Sequence, residues 1–113
     1  EVTDYAVATI HMQGFSRMFR PANFAPNEAD HDKVKARGEE LFSKGLGVLD
    51  KALAGKEYVA GSYSFADSAV FYVSFWWSGR LKKELPANVA AHYGRMTARP
   101  AVQRTFQQEG LAA

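Results

Sequence analysis

The sequence feature that most constrains the fold is an apolar stretch, Phe65 to Gly79, preceded by a helix-capping pattern. On composition alone, its run of Val, Phe, Tyr and Trp residues could form a buried β-strand. The start of the stretch favours a helix, because Ser64 and Asp67 have the spacing of an N-cap serine and a carboxylate that bonds back to the serine amide. At about 15 residues, the helix is shorter than the roughly 20 residues of a membrane span. We therefore predict a central core helix, buried on every side.

A first helix is predicted before this segment, for residues 2–20, because apolar residues recur there at steps of three and four and Pro21 ends the pattern. Its predicted apolar stripe consists of Tyr5, Ala8, Met12, Phe15 and Phe19. Two prolines and two asparagines follow in residues 21–27, which favours a loop. The last of these residues, Asn27, is the predicted cap of the next helix.

The second helix is predicted from about Glu28 to about Ala54, with Gly55 as its terminator. Its apolar stripe consists of Phe42, Leu46, Leu49 and Leu53. Three glycines lie inside it, and each costs roughly 1 kcal/mol of helix stability relative to alanine. We interpret them as positions where another helix approaches closely, the alternative being a merely flexible helix. These glycines are Gly38, Gly45 and Gly47.

Two shorter helices complete the chain, one between Pro86 and Pro100 and one from Pro100 to Gly110. Their apolar positions are Val89, Tyr93 and Met96 in the first and Val102 and Phe106 in the second. Five helices without a convincing alternating strand predict an all-α fold, a five-helix bundle. A chain of 113 residues, 47% of them hydrophobic, suffices for one compact domain and not for a second core.

Composition excludes several kinds of site. Fourteen basic and twelve acidic residues give a net charge of +2, and Lys82-Lys83 is the longest basic block, so nucleic acid is not a favoured partner. The chain has no cysteine, which excludes a disulfide, a Cys-ligated zinc site and a thiol nucleophile on these residues. With no signal-peptide pattern, we expect a cytoplasmic protein. Glu1 stands where an initiator Met would, within a helical pattern, so we interpret the chain as an excised domain.

The sequence contains few motifs that indicate catalysis or ligand binding. Asp50 follows Gly45-Leu46-Gly47 where a dinucleotide fingerprint needs its third glycine, and no phosphate loop or nucleophile elbow occurs. The histidines are too isolated to predict a metal site, and the acidic residues around His31 suit the first turn of a helix. His11, beside the aromatic residues of the first helix, is more simply a structural or exposed histidine than a ligand contact.

Four side chains in or next to the central helix remain as candidates for function. Ser64 and Asp67 could be imagined as a catalytic pair, but as an N-cap and its partner they are better explained by folding, since loss of such a cap typically costs about 1 kcal/mol. Trp76 and Trp77 point about 100° apart on a helix, so both cannot face one core surface. We expect one of them to line a cleft or an interface, the alternative being that both pack.

Three motifs, in order along the chain, resemble bacterial glutathione transferases. Residues 61–67, Gly-Ser-Tyr-Ser-Phe-Ala-Asp, are similar to the Gly-x-x-Ser/Thr-x-Ala-Asp signature that opens the central helix of that family. Residues 19–21, Phe-Arg-Pro, are similar to its Leu-Phe-Arg-Pro stretch. Residues 98–103, followed by Glu-Gly-Leu at 109–111, resemble its chain end. Together the motifs span nearly all 113 residues and resemble the family's helical C-terminal domain, with no thioredoxin-like domain in this chain.

The resemblance implies part of a two-domain enzyme that conjugates glutathione to electrophiles or reduces with it. In that family a preceding thioredoxin-like domain binds most of the glutathione and supplies the activating Ser, Tyr or Cys, so no catalytic residue is expected on this chain. The helical domain supplies much of the apolar pocket for a hydrophobic electrophile and part of a homodimer interface. By position, the resemblance makes Met12, Phe15 and Trp76 the pocket candidates. No metal is implied.

One departure from the family pattern leaves the subclass open. Beta-class relatives often carry a His-Lys pair before the Gly-Phe of the first helix, where this chain has Met12-Gln13. His11 lies one position away, about 100° around the helix, and does not inherit that role. A further alternative is a transferase-like helical module for protein–protein association without catalysis, as resembling domains are in translation factors and aminoacyl-tRNA synthetase complexes.

Overall fold

The computed structural model describes residues 2–111. This part of the chain forms five helices of two turns or more and contains no strand ladder. Helix α1, residues 2–19, joins α-helical turns at Val2–Asp4 and Ser16–Phe19 through the π-helical segment Tyr5–Phe15. Helix α2 is His31–Ala52. Helix α3, residues 65–80, continues from α-helical Phe65–Ser74 into π-helical Phe75–Arg80. Helices α4 and α5 are Ala87–Thr97 and Pro100–Gln108. The all-α prediction is confirmed.

The helix ends follow the proline and glycine signals with small shifts. Pro21 opens a 3-10 turn, Pro21–Asn23, directly after α1. The predicted start of α2 at Glu28 is a 3-10 turn, Glu28–Asp30, and the α-helix proper begins at His31. Asn27 contributes its carbonyl, which accepts the Asp30 amide at 3.0 Å, and not a side-chain cap. Gly55 has a φ of +71°, the left-handed conformation that ends a helix.

The predicted apolar stripe of α1 is wrong. The buried residues of this helix are Ala6, Ile10 and Gly14, whereas Met12 is 56% exposed. These buried positions are four residues apart, which is close to one turn of either an α-helix or the wider π-helix, so they lie near one face. The absence of a side chain at Gly14 lets α2 approach this face, and the aromatic residues of α1 lie to the side of the contact.

Close contact between α1 and α2 explains two of the three glycines. A Cβ atom on Gly38 would lie 2.7 Å from the Gly14 carbonyl oxygen, and one on Gly45 would collide with the Ile10 side chain. The prediction is wrong for Gly47, where nothing lies within 4 Å of the Cβ position. The helices therefore cross over Gly14, Gly38 and Gly45, which leaves no room for a methyl group at those positions.

The core lies between α1, α2 and α3 and is closed by α4. All four residues of the predicted α2 stripe are buried, together with Val70, Val73 and Trp77 of α3 and Val89 of α4. The prediction that α3 is buried on every side is wrong for its N-terminal half, where Phe65 is 80% and Tyr72 46% exposed. This apolar surface of α3 has no neighbouring helix among residues 2–111 that covers it.

Candidate functional site

An aromatic cleft of about 570 Å³ opens where the C-terminal end of α1 meets the π-helical part of α3. We call it the aromatic cleft. The 3-10 turn after α1 forms its remaining wall. The lining residues are Phe15, Phe19, Arg20, Pro21, Ala22, Asn23 and Trp76.

Three aromatic rings form the apolar wall of the aromatic cleft. Phe15 and Phe19 lie about one turn apart on α1, and their rings are stacked with centroids 4.4 Å apart. The Trp76 ring stands edge-on to both, with centroids 5.0 Å from Phe15 and 5.9 Å from Phe19. Such stacked and T-shaped pairs add to the stability that burial alone gives, so the wall is held in place before any ligand arrives.

The two adjacent tryptophans have separate surroundings. Trp77 is buried, its ring stacks on Phe42 with centroids 4.8 Å apart, and its indole N–H donates to the Glu84 carbonyl oxygen at 3.0 Å. Trp76 is half-buried and lines the aromatic cleft. Neighbouring residues on one helix point in different directions, so Trp77 packs in the core while Trp76 lines the aromatic cleft, as the sequence predicts for one of the two.

Of the three pocket candidates, the structure brings Phe15 and Trp76 together and leaves Met12 apart. Met12 points away from the helical contact and lines none of the described cavities. His11 lies 5.0 Å from Phe15 and 5.3 Å from Tyr72 by ring centroids, in a separate groove nearer the start of α1. Whether Met12, Phe15 and Trp76 bind substrate stays a prediction.

The sequence does not predict Phe19 and Arg20 as cleft residues. Its patterns place Phe19 in an apolar stripe and Arg20 in a motif that resembles the family. The signal that identifies them is local: Phe15 and Phe19 are four residues apart on one helix, and the proline at position 21 turns the chain back toward the same rings.

Ser64 and Asp67 lie at the start of α3, outside the aromatic cleft. The Ser64 amide donates to Asp67 Oδ2 at 2.8 Å, as a capping box requires. Asp67 Oδ1 accepts the Val59 amide at 3.0 Å and a hydrogen bond from His92 Nε2 at 2.9 Å. With its oxygens occupied by donors and the side chain fully buried, Asp67 is placed to hold segments together and not to contact a substrate.

The residues that the structure describes were searched for metal-ligand clusters and for membrane spans. Across residues 2–111, no three His, Cys, Asp or Glu side chains gather into a possible metal site. Within the same range, no helix combines the length and apolar character needed to cross a membrane. His31, the histidine of the acidic cluster, contacts the Ala25 carbonyl oxygen through Nε2 at 3.0 Å.

No model of a known protein family matches the chain. Its sequence is 29% identical over 113 residues to the glutathione S-transferase GstA of Escherichia coli O157:H7, a match that covers 98% of this chain and 52% of the relative. Its fold matches a glutathione S-transferase from Xylella fastidiosa with a TM-score of 0.83 at 19% identity, over 98% of this chain and 54% of that chain. The chain thus spans about half the length of its curated relative, corresponding to the C-terminal part. The resemblance to the helical domain of bacterial glutathione transferases is confirmed.

Proposed function

We propose that this chain is the helical C-terminal domain of a glutathione transferase and that its aromatic cleft holds the hydrophobic co-substrate. The supporting observation is a likeness to transferase sequence and fold that extends over 98% of the chain and includes the segments that form the cleft. In this proposal a thioredoxin-like domain precedes residue 1, binds most of the glutathione and activates its thiol. The complete protein is a cytoplasmic homodimer, and the helical domain forms part of its interface.

The residues of the aromatic cleft would bind and orient the electrophile. Burial of apolar surface contributes roughly 25 cal/mol per Å² and has no directional requirement, so a wall of Phe15, Phe19 and Trp76 tolerates varied aromatic molecules. The reaction itself is a displacement: the glutathione thiolate forms a C–S bond, the bond to a leaving group such as chloride breaks, and the electron pair departs with the chloride. Exposed Met12 would join this pocket only if the preceding domain closes over it.

The proposal can be tested by binding and conjugation assays on the complete protein. We expect it to bind immobilised glutathione and to conjugate 1-chloro-2,4-dinitrobenzene, whereas residues 1–113 alone do neither. Phe15→Ala and Trp76→Ala should raise the KM for the electrophile about three- to tenfold, corresponding to roughly 1 kcal/mol of lost apolar contact, with little change in the KM for glutathione. Val48→Ala is the matched control, because Val48 is an exposed apolar residue outside the cleft.

Two outcomes would contradict the proposal. Turnover of the electrophile by residues 1–113 alone would place catalysis on this chain. Failure of the complete protein to bind glutathione, together with an unrelated domain before residue 1, would favour the module for protein–protein association.

A further inference from the structure

The aromatic cleft contains one ionisable side chain, Arg20, among its seven lining residues. Asn23 is the other lining residue with a polar side chain, and it is uncharged. No carboxylate lines the cleft to neutralise the guanidinium. The cleft therefore combines an apolar aromatic wall with one positive charge at its exposed edge.

Arg20 differs from its neighbour Arg17 in having no partner among residues 2–111. The Arg17 guanidinium donates to the Gln13 carbonyl oxygen at 2.8 Å and lies 4.4 Å from the centre of the Phe24 ring. None of the hydrogen bonds, ion pairs and cation–π contacts within the described range involves the Arg20 side chain. Its five donors are thus free for a ligand.

The backbone of Arg20 is fixed although its side chain is exposed. Its amide donates to the Ser16 carbonyl oxygen at 2.8 Å, and its carbonyl accepts the Asn23 amide at 3.1 Å. These bonds end α1 and start the 3-10 turn, so the Cα of Arg20 is held at the turn that forms one wall of the aromatic cleft. A guanidinium placed in this way can meet a carboxylate or sulfonate with two parallel hydrogen bonds.

We propose that Arg20 makes the aromatic cleft select planar aromatic molecules that carry an anionic group, such as an aryl carboxylate or aryl sulfonate. The ring of the ligand packs against the aromatic wall, and its anionic group pairs with the guanidinium. Naming this ligand as the co-substrate rests on the proposed function. The binding preference itself does not, because it depends only on the described residues of the cleft.

Two dyes with the same aromatic frame test the preference in the complete protein. 8-Anilinonaphthalene-1-sulfonate carries the anionic group, and N-phenyl-1-naphthylamine lacks it. We expect Arg20→Gln to weaken binding of the sulfonate about fivefold, the range of a partly exposed ion pair, and to leave binding of the neutral dye within twofold. Arg20→Lys should restore part of the loss. Arg104→Gln, on the exposed surface of α5, is the matched control and should leave both dyes unchanged.

A second variant locates the site, and a pair of electrophiles connects it to turnover. Phe19→Ala should weaken both dyes, because it removes part of the shared wall. In conjugation assays, Arg20→Gln should lower kcat/KM for 4-chloro-3,5-dinitrobenzoate about fivefold relative to 1-chloro-2,4-dinitrobenzene.

The outcomes separate this inference from the proposed function. Equal effects of Arg20→Gln on both dyes, or no effect on either, would overturn the selectivity. Loss of sulfonate binding in Arg20→Gln without any effect of Phe19→Ala would overturn the cleft as its site. Absence of conjugation with the dye preference intact would leave the selectivity established and contradict only the proposed function.

Discussion

Asp67 joins three segments of the chain through one buried carboxylate. Its oxygens accept hydrogen bonds from the Ser64 amide at the start of α3, the Val59 amide in the preceding segment and His92 on α4. Burial by itself raises the pKa of Asp67, but the amides of Val59 and Ser64, and then His92, outweigh it and hold the pKa below its ordinary value of 3.8. The carboxylate is therefore ionised in the folded protein at neutral pH.

Replacing this carboxylate by an amide should cost much of the domain's stability. Asp67→Asn keeps the size of the side chain but has one acceptor oxygen, and it directs an NH₂ group toward amide donors. We expect urea unfolding to show a loss of about 2–4 kcal/mol, because buried donors are left without acceptors. Asp32→Asn, an exposed acidic residue in the first turn of α2, is the control and should change stability by less than about 1 kcal/mol. Equal losses in the two variants would contradict this role for Asp67.

His92 should make the stability of the domain depend on pH. Burial lowers the pKa of His92 from its ordinary value of 6.5, although the hydrogen bond and the charge of Asp67 act in the opposite direction. In the described structure, its Nδ1 atom is buried without a hydrogen-bond partner. Because His92 binds the proton more readily in the unfolded chain, its contribution to stability is fully present above pH 6.5. This contribution is lost as pH falls from there through the lower pKa of the folded state.

Urea unfolding between pH 7.5 and 5.5 checks this prediction. The free energy of unfolding should fall with a slope of at most about 1.4 kcal/mol per pH unit below pH 6.5, and His92→Gln should remove most of that slope. A slope that survives His92→Gln would show that another group causes the pH dependence and would contradict this prediction.

At the scale of helices, the crossing of α1 and α2 depends on glycine at some positions and not at others. Gly38→Ala would place a methyl group 2.7 Å from both the Gly14 carbonyl oxygen and the Arg17 Cβ, so the helices must separate. We expect a loss of about 1–3 kcal/mol in the free energy of unfolding, larger than the gain in helix propensity. Gly47→Ala, on the same helix but in open space, should instead stabilise by about 0.5–1 kcal/mol. Two losses of similar size would contradict the crossing geometry.

The helices also show what the sequence can predict and what it cannot. The α2 stripe of Phe42, Leu46, Leu49 and Leu53 was predicted correctly, because large apolar residues at helical spacing usually face the core. The same rule failed on α1, where Ile10 and Gly14 make the contact with α2 and Phe15 faces a cleft. Periodicity weights residues by apolar size, whereas the distance between two helices at a crossing is set by their smallest side chains.

The aromatic cleft was predictable only in part for a similar reason. Phe15 and Trp76 could be proposed as pocket candidates, together with Met12, from their positions on the first and central helices, but the contact between them depends on how α1 and α3 cross. Arg20 could not be placed from spacing, because its position depends on where α1 ends and how the 3-10 turn folds back. The local turn and the crossing angle together build the cleft, and neither follows from one helical pattern.

Over the whole molecule, one apolar surface has no cover among residues 2–111. A groove of about 260 Å³ runs between the first halves of α1 and α3, and its lining includes Val7, Phe65 and Tyr72, all exposed. Phe65, the first residue of α3, is the most exposed of these three, with 80% of its surface accessible. A phenylalanine exposed to this extent beside other apolar residues is typical of a surface that another part of a protein covers.

Phe65→Ser should affect stability differently in the complete protein and in residues 1–113 alone. If a preceding domain or partner subunit covers Phe65 in the complete protein, Phe65→Ser should reduce the free energy of unfolding there by about 1–2 kcal/mol, the contribution of a buried aromatic side chain. In residues 1–113 alone the same substitution should change stability by less than about 0.5 kcal/mol, because the side chain is already in water. The short chain thus serves as the control for the long one, measured by urea unfolding. Equal changes in both would mean that Phe65 stays exposed in the complete protein and that the cover lies elsewhere.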